Sequence, residues 1–248
     1  MQLGLIGAGN MASALARGIG EPVLVSDLDE GKAARLAEAT GGQAVGSNAE
    51  VAERADVVLL CHKPKQLDEV AAEVAPQAKA IASVLAGVKL SRLEAAYPDR
   101  PLLRLMPNLP VEFGAGVICY AAAGGEADRE LLELLGRAGL VLPVSEPELE
   151  PAMAVMSCGP AFLALVAESL ATAGAGQGLD AEQARRMVVE TMAGTATWLR
   201  AHGDDTADLR ERVATPGGLT ERGLKTLERE GVPAALTSAV DEIVEAVR

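Results

Sequence analysis

The sequence predicts an α/β protein with a doubly wound parallel sheet over residues 1–150 and an all-helical domain over residues 151–248. Short apolar runs alternate with amphipathic helical patterns in the first part, which is typical of a parallel sheet with helices on both faces. Pro143, Pro147 and Pro151 then punctuate the chain, and no convincing strand pattern follows them. This change of pattern indicates the domain boundary.

The strand candidates of the first part are short and apolar. They are Leu3–Ile6, Val23–Val25, Asp56–Cys61, Ala80–Leu85, Leu102–Met106 and Val117–Tyr120. The helix candidates between and after them are Asn10–Ile19, Glu30–Ala39, Leu67–Val74, Leu90–Ala96 and Asp128–Arg137. The run 56–61 is apolar almost throughout, as expected for a strand that is covered on both faces.

The second part has the pattern of helices alone, at Ala161–Ala173, Ala181–His202, Thr220–Glu230 and Pro233–Arg248. The first of these helices is apolar nearly all round, so it must be buried on most sides. A domain of this length has a limited interior. We therefore expect a homodimer or a larger homo-oligomer that forms through this domain.

Composition restricts the classes of protein to consider. The chain has 248 residues, of which 49% are apolar and 23% charged, and it can therefore bury enough apolar surface to fold. It carries 22 Lys and Arg against 35 Asp and Glu, and the net charge of −13 repels a nucleic-acid backbone. We expect no nucleic-acid partner, and an anionic ligand has to be held by local groups such as helix N-termini.

Cysteine usage and hydropathy indicate the compartment. Cys61, Cys119 and Cys158 lie far apart without a CxxC pair, so we predict no disulfide framework and no metal site. Glycines interrupt the N-terminus where a secretory signal would be continuously apolar. The most apolar stretch, residues 152–167, contains a serine, a glycine and a proline, and is predicted to be too short and too interrupted to span a bilayer. We expect a cytoplasmic protein without a membrane partner.

A glycine motif follows the first strand candidate and opens the first helix candidate. Its sequence, Gly7-Ala8-Gly9-Asn10-Met11-Ala12, has the form GxGxxA. Such glycines let the backbone turn tightly and approach a pyrophosphate, while the helix N-terminus supplies N–H groups. At this position the motif predicts dinucleotide binding, and the alternative is a glycine-rich turn without a ligand.

An acidic residue at the end of the second strand candidate bears on the choice of dinucleotide. Asp27 lies 18 residues after Gly9, close to where the fingerprint has an acid that binds the ribose hydroxyls. A carboxylate there repels a 2′-phosphate, which favours NADH over NADPH. Two alternatives stay open: Asp27 and Glu30 have the spacing of a capping box, and Lys32 and Arg35 offer positive charge to a 2′-phosphate.

The chain resembles the pyrroline-5-carboxylate reductase family, which carries out the last step of proline synthesis, along essentially its whole length. Five segments carry the resemblance, and their order and spacing make it specific. They are IGAGNMA at residues 6–12, ADVVLLCHKPKQ at residues 55–66, RLMPNLP at residues 104–110, SCGPAF at residues 157–162 and TPGGLT at residues 215–220.

The resemblance implies a Rossmann-type domain, a helical domain that dimerises, and an active site completed by the partner subunit. The implied site for NADPH or NADH consists of Gly7, Gly9, Asn10, Met11 and Ala12 at the pyrophosphate, Ser26, Asp27 and Asn48 at the adenosine end, and Lys63, Pro64 and the Leu85-Ala86-Gly87 turn on the nicotinamide side. The implied substrate-binding residues are Thr215, Gly217, Gly218, Thr220 and Cys158.

The implied reaction is hydride transfer to a cyclic C=N bond, in which the cofactor carries the difficult step. A protonated imine is already electrophilic, so no metal is needed. Thr220 is the catalytic candidate, because a Pro-Gly-Gly turn before a helix exposes N–H groups that suit the substrate carboxylate, and the hydroxyl can orient the ring nitrogen. The alternative role of Thr220 is that of a helix cap.

Other reactive side chains have structural roles in this interpretation. His62 and His202 lack a partner at a spacing that supports acid–base chemistry, and Cys158 lacks a histidine at the spacing of a nucleophilic pair. Lys63 is followed by polar residues, which favours a coenzyme contact over a Schiff base.

Alternative functions remain. Cys158, Phe162 and Leu219 replace a serine, a tyrosine and a smaller residue of the family pattern, which leaves room for a related cyclic imine as substrate. A 3-hydroxyacid dehydrogenase would need a catalytic lysine in the helical domain, and residues 151–224 contain none. A non-catalytic, dinucleotide-sensing protein is the third hypothesis, and the intact turn at residues 216–218 argues against it.

Overall fold

The computed structural model describes residues 1–122 and 129–247. The contacts among these residues divide the chain into two compact units, residues 1–160 and residues 161–246. The domain division between residues 150 and 151 stays a prediction, and by contacts residues 151–160 group with the sheet. Asp128 and Arg248, the outermost residues of two predicted helices, lie outside the described part.

The first unit contains a sheet and the helices that cover it. Its strands are β1 (Leu3–Ile6), β2 (Val23–Ser26), β3 (Gln43–Ala44), β4 (Val57–Leu60), β5 (Ile81–Ser83), β6 (Leu102–Pro107), β7 (Gly116–Ala122) and β8 (Gly139–Pro143). Its helices are α1 (Asn10–Ile19), α2 (Glu30–Thr40), α3 (Asn48–Arg54), α4 (Leu67–Val74), α5 (Leu90–Ala96), α6 (Arg129–Arg137) and α7 (Leu149–Ala152). Short 3₁₀ turns occupy Pro64–Gln66, Leu109–Phe113 and Glu146–Glu148, and a π-helical turn occupies Met153–Ser157.

The strand order of the sheet is β3-β2-β1-β4-β5-β6-β7-β8. The chain builds outward from β1 on one side and then crosses to β4 on the other, which confirms the predicted doubly wound architecture. All neighbouring strands are parallel except β6 and β7. That pair is antiparallel because only the turn at Leu109–Phe113 and its flanking residues join the two strands, too few for a parallel crossover.

Alternate residues of the central strands belong to two separate cores, one on each face of the sheet. Leu5, Val57 and Leu59 pack with α1, α2 and α6 on one face. Val58 and Leu60 pack with α3, α4 and α5 on the other. Because every residue of β1, β2 and β4 is buried, these strands appear in the sequence as apolar runs, except for Ser26 at the end of β2.

The structure adds elements that the sequence analysis missed. Strand β3 consists of two exposed residues that join β2 through backbone hydrogen bonds. Because no side chain of β3 is buried, its sequence has no hydrophobic pattern. Strand β8 lies at the sheet edge and ends in Pro143, one of the three prolines that predict the domain boundary. Proline is tolerated there because an edge strand does not need every N–H group.

The rest of the described chain is helical. It forms α8 (Gly159–Gly176), α9 (Ala181–Ala201), α10 (Thr206–Val213), α11 (Leu219–Arg229) and α12 (Val232–Ala246). Helix α10 is an element that the sequence pattern did not predict. Its N-cap is Asp205, which accepts hydrogen bonds from the N–H groups of Ala207 and Asp208.

The predicted interruption of the apolar stretch at residues 152–167 was wrong. Ser157, Gly159 and Pro160 lie within a helical run, because the π-helical turn and the first turn of α8 accommodate them. Within the described residues, the helix at 146–176 is long and apolar enough to cross a membrane by length and composition alone. Of its most apolar window, 6% is buried within this chain, so an extensive apolar face remains exposed.

Candidate active site

The carboxyl ends of four parallel strands lie level with one another at one edge of the sheet. Register pairs Ile6 of β1 with Ser26 of β2 and with Leu60 of β4, and pairs Leu60 with Ser83 of β5. The segments that follow these strands therefore emerge side by side. The chain changes direction in the sheet between β1 and β4, and ligands of doubly wound proteins bind at such a switch point.

The glycine motif forms the turn between β1 and α1. Gly7 has φ +100°, and a Cβ atom there would lie 2.8 Å from the carbonyl carbon of Cys61, so only glycine fits. Gly9 is exposed, and nothing lies within 4 Å of the position that its Cβ would occupy. It is also the N-cap of α1 and provides no side-chain cap, which leaves the first N–H groups of the helix open. These residues fit a pyrophosphate, which needs close backbone approach and free N–H groups.

Asp27 holds the glycine motif in place. Its Oδ2 accepts a hydrogen bond from the N–H of Ala8 at 2.6 Å, and its Oδ1 accepts one from Asp29 N–H at 2.8 Å. The N-cap of α2 is Asp29, which accepts from the N–H of Lys32. The alternative role of Asp27 as the cap of this helix is therefore wrong.

Two candidates for the adenosine end lie in direct contact. The Ser26 hydroxyl donates to Oδ1 of Asn48 at 2.6 Å, and Nδ2 of Asn48 donates to a Glu73 carboxylate oxygen at 2.8 Å. Asn48 is the first residue of α3, whose N-cap is Ser47. The two hydrogen bonds fix the orientation of the Asn48 amide beside the end of β2.

The candidates for the nicotinamide side follow β4 and β5. Lys63 and Pro64 are exposed at the start of a 3₁₀ turn, and Ala86 is exposed in the turn after β5. Pro64 and Gly87 line the same open groove of about 420 Å³, so the structure brings these two segments together. Lys65 and Lys89 also line this groove and give it positive charge.

Burial governs the protonation of the neighbouring side chains. It raises the pKa of the Cys61 thiol to about 12, which leaves no thiolate for nucleophilic chemistry. Burial also lowers the pKa of His62, against a hydrogen bond to the Lys63 carbonyl that raises it. The neutral imidazole of His62 is thus favoured, and its Nε2 is buried without a partner among the described residues.

The second unit contains the predicted substrate turn. Gly218 N–H donates to the carbonyl of Thr215 at 2.9 Å, and a Cβ at Gly218 would lie 2.6 Å from the hydroxyl oxygen of Thr215. Gly217 has φ +76°, a conformation that favours glycine. Gly218 is the N-cap of α11 and provides no side-chain cap, so Thr220 lies within the first turn of the helix. The alternative role of Thr220 as the helix cap is therefore wrong.

Sequence reasoning missed Glu221, which closes this turn. A Glu221 carboxylate oxygen accepts a hydrogen bond from Gly217 N–H at 2.8 Å, and Lys225 donates to the other oxygen at 2.8 Å. These bonds hold the pKa of Glu221 below its usual value, the Lys225 bond contributing most. The i, i+4 spacing of a Glu and a Lys in the sequence was the available sign of this pair.

Cys158 follows the π-helical turn in the first unit and is half-buried. Its N–H donates to the carbonyl of Met153 at 3.0 Å. The preceding Ser157 donates its hydroxyl to the Pro107 carbonyl at 2.9 Å, and Asn108 donates to Met156. Pro107 and Asn108, in the motif at residues 104–110, are therefore bonded to residues 156–157, where the motif SCGPAF begins.

Comparison with known proteins gives a consistent result. Residues 146–248 match the family model for pyrroline-5-carboxylate reductase dimerisation, and residues 2–87 match a model described as NADP oxidoreductase, coenzyme F420-dependent. Pyrroline-5-carboxylate reductase 3 of Mus musculus is 37% identical over 254 residues, which cover 97% of this chain and 92% of the relative. Pyrroline-5-carboxylate reductase of Synechocystis sp. is 33% identical over 252 residues, with 97% and 94% covered.

The chain belongs to the pyrroline-5-carboxylate reductase family. The structure of Plasmodium falciparum pyrroline carboxylate reductase with NADP bound superimposes with a TM-score of 0.86 at 25% identity, and covers 100% of this chain and 97% of that one. The family and the fold class predicted from the sequence are thereby confirmed. The roles of the individual site residues stay predictions.

Proposed function

We propose that the chain is an NAD(P)H-dependent reductase of the C=N bond of 1-pyrroline-5-carboxylate, with L-proline as product. The observation that carries this proposal is full-length similarity to pyrroline-5-carboxylate reductases. It is supported by the glycine motif after β1, which leaves space for a dinucleotide to approach the backbone. The coenzyme supplies the hydride, and the protein binds and orients the reactants.

The coenzyme half of the proposal rests on the edge of the sheet. The N–H groups of Gly9, Asn10 and Met11 at the start of α1 would bind the pyrophosphate, and the close packing of Ala12 in the core brings the helix near the sheet. Asp27 keeps lone pairs on both carboxylate oxygens for the ribose hydroxyls, which supports NADH, while NADPH remains open as the alternative. Ser26 and Asn48 would contact the adenosine, and Lys63, Pro64 and Ala86 the nicotinamide side.

The substrate half rests on the turn before α11. The N–H groups at the uncapped start of this helix would attract the substrate carboxylate despite the net charge of −13. The Thr220 hydroxyl has no hydrogen-bond partner within the described residues, so it is available to orient the ring nitrogen. Thr215 holds Gly218 in place, and Cys158 is the remaining substrate-binding candidate.

We also propose that the active form is a homodimer, or a larger homo-oligomer, held together through residues 151–248. Helix α8 exposes Leu163, Leu165 and Leu170 by 56%, 63% and 53%, which a monomer in water would not tolerate. The match of residues 146–248 to a dimerisation model supports a second copy over a lipid bilayer as the cover of this face. A stable, active monomer in light scattering at micromolar concentration would contradict the proposal. We place the protein in the cytoplasm, without a nucleic-acid or membrane partner.

A second candidate function is the reduction of another cyclic imine. Leu219 precedes Thr220, is 83% exposed and replaces a smaller residue of the family pattern, so its side chain is free to contact a ring of a different size.

One assay distinguishes the candidates. Oxidation of NADH and of NADPH is followed in parallel with 1-pyrroline-5-carboxylate and with its six-membered-ring counterpart. We expect the five-membered ring to have the higher kcat/KM with at least one coenzyme. A higher kcat/KM for the six-membered ring would support the second candidate, and oxidation of neither coenzyme with either imine would refute both.

A further inference from the structure

A buried arginine with no assigned role lies in the middle of β6. Arg104 is 1% exposed, and its guanidinium forms ion pairs with two carboxylates of the segment that follows the sheet. The Nη1–Oε1 distance to Glu146 is 3.3 Å, and the Nη2–Oε1 distance to Glu150 is 2.8 Å. A charge buried to this degree is held in a defined geometry, because moving it would leave it unpaired.

Glu146 has a second partner on another element. The carboxylate oxygen that accepts from Arg104 also accepts a hydrogen bond from the backbone N–H of Leu90, the first residue of α5. Lys89, the N-cap of α5, provides no side-chain cap. Glu146 thus caps this helix from a position 56 residues away in sequence.

Helix α5, which Glu146 caps, begins directly after the turn that is proposed to contact the nicotinamide side of the coenzyme. The turn after β5 includes the exposed Ala86 and Gly87, and Gly87 has φ +74°. Gly87, Val88 and Lys89 line the groove that also includes Pro64. One end of this turn is fixed by β5, and the other end is fixed by the bond between Leu90 and Glu146.

The segment that contains Glu146 is hydrogen-bonded to the sheet. At one end of the segment, Val144 N–H donates to the carbonyl of Tyr120 in β7. At the other end, Ser157 donates to the Pro107 carbonyl and Asn108 donates to the Met156 carbonyl, so residues 146–157 are tied to the sheet on both sides. A carboxylate anchored in this way can hold the turn in one conformation before the ligand arrives, which lowers the entropic cost of binding.

We propose that Glu146, held by Arg104, is a positioning residue that fixes the turn at residues 85–89 for the coenzyme. This inference rests on the proposed coenzyme site. The carboxylate acts through the N–H of Leu90 and does not contact the coenzyme itself.

The test measures coenzyme binding without the imine, by NADH and NADPH fluorescence titration of the purified full-length protein. We expect Glu146→Ala to raise the Kd of the coenzyme about tenfold, because the turn loses its anchor. Glu146→Asp keeps the charge but shortens the reach, and we expect a Kd about threefold higher. Glu146→Gln retains an oxygen that accepts from Leu90, and we expect its Kd to stay within twofold of wild type.

Glu148→Ala is the matched control. Glu148 lies in the same 3₁₀ turn, but it accepts hydrogen bonds from the N–H and the hydroxyl of Ser145 alone. Wild-type affinity in both Glu146→Ala and Glu146→Asp would overturn the proposal, even if their thermal stability fell. An equal loss of affinity in Glu148→Ala would overturn it as well. Failure of the wild type to reduce the imine while it binds coenzyme would count against the proposed function and not against this role of Glu146.

Discussion

Replacement of Arg104 by methionine isolates the energetic role of the buried ion pairs. Methionine is unbranched and uncharged, so it fills the space of the aliphatic part of the arginine side chain but not that of the guanidinium. Its main effect is to leave the carboxylates of Glu146 and Glu150 without their partner. These side chains are 29% and 18% exposed, so water compensates them only in part.

The structure sets the size of the expected effect. Removal of one partner of a buried ion pair costs about 3–5 kcal/mol. Partial hydration of the two glutamates places Arg104→Met near the lower end, at about 3 kcal/mol. For a protein of this length each kcal/mol shifts the melting temperature by roughly 2–4 °C. We therefore expect a decrease in Tm of about 6–12 °C.

The assay is thermal unfolding followed by circular dichroism, at one protein concentration for all variants because oligomerisation makes Tm concentration-dependent. Arg92→Met is the control, since Arg92 pairs with Asp68 at the surface, where the side chains are 48% and 77% exposed, and such a pair contributes about 0–1 kcal/mol. The triple variant Arg104→Met, Glu146→Gln, Glu150→Gln also removes the two unpaired carboxylate charges. It should recover at least half of the decrease in Tm. Equal Tm values for Arg104→Met and Arg92→Met would refute the reasoning.

Three further predictions concern the site. Thr220→Val should lower kcat/KM for the imine by roughly ten- to a hundredfold, the equivalent of about 1.5–3 kcal/mol for a hydrogen bond to a charged nitrogen, with coenzyme Kd almost unchanged. Thr226→Val, on the same helix with its hydroxyl bonded to a backbone carbonyl, is the control, and equal activity of the two variants would demote Thr220. Asp27→Ser should raise the ratio of kcat/KM with NADPH to that with NADH, and a wild type that already strongly prefers NADPH would contradict the role given to Asp27. Burial lowers the pKa of His62 in the folded state below the usual value of 6.5, so the free energy of unfolding should fall as the pH drops below that value. Urea titrations at about pH 7.5 and pH 5.5 should show a smaller decrease of this free energy in His62→Asn than in wild type. An equal decrease in the two proteins would contradict the prediction.

The elements that the sequence predicted well are those whose local pattern and tertiary environment agree. Strand β1 and helix α1 have the predicted bounds, because a fully buried strand and a glycine-flanked amphipathic helix leave clear patterns. Strand β3 left none, since its residues join the sheet through backbone hydrogen bonds that any side chain permits. The antiparallel direction of the β6–β7 pair was also missed. Strand composition does not show pairing direction, and the short connection between the two strands was the available sign.

The same distinction applies to the site. Position 7 requires glycine because of its backbone conformation and its close approach to Cys61. The glycine motif in the sequence predicts this requirement. The bonds of Glu146 and Glu221 were not predictable in the same way. Glu146 meets Leu90 across 56 residues, and Glu221 meets a backbone N–H whose direction depends on the positive φ of Gly217.

Asp27 shows how one carboxylate can serve structure and recognition together. Its oxygens accept N–H groups from Ala8 and Asp29, and each oxygen keeps a lone pair for a ribose hydroxyl. A serine at this position removes the charge that repels a 2′-phosphate. Its hydroxyl can keep the local bond from Asp29 N–H, but the shorter side chain no longer reaches Ala8 N–H. Because Ala8 lies between the two glycines of the motif, the pyrophosphate turn loosens for both coenzymes. The expected result of Asp27→Ser is therefore weaker binding of NADH and NADPH alike, with the larger loss for NADH, and the change in preference has to be measured as a ratio.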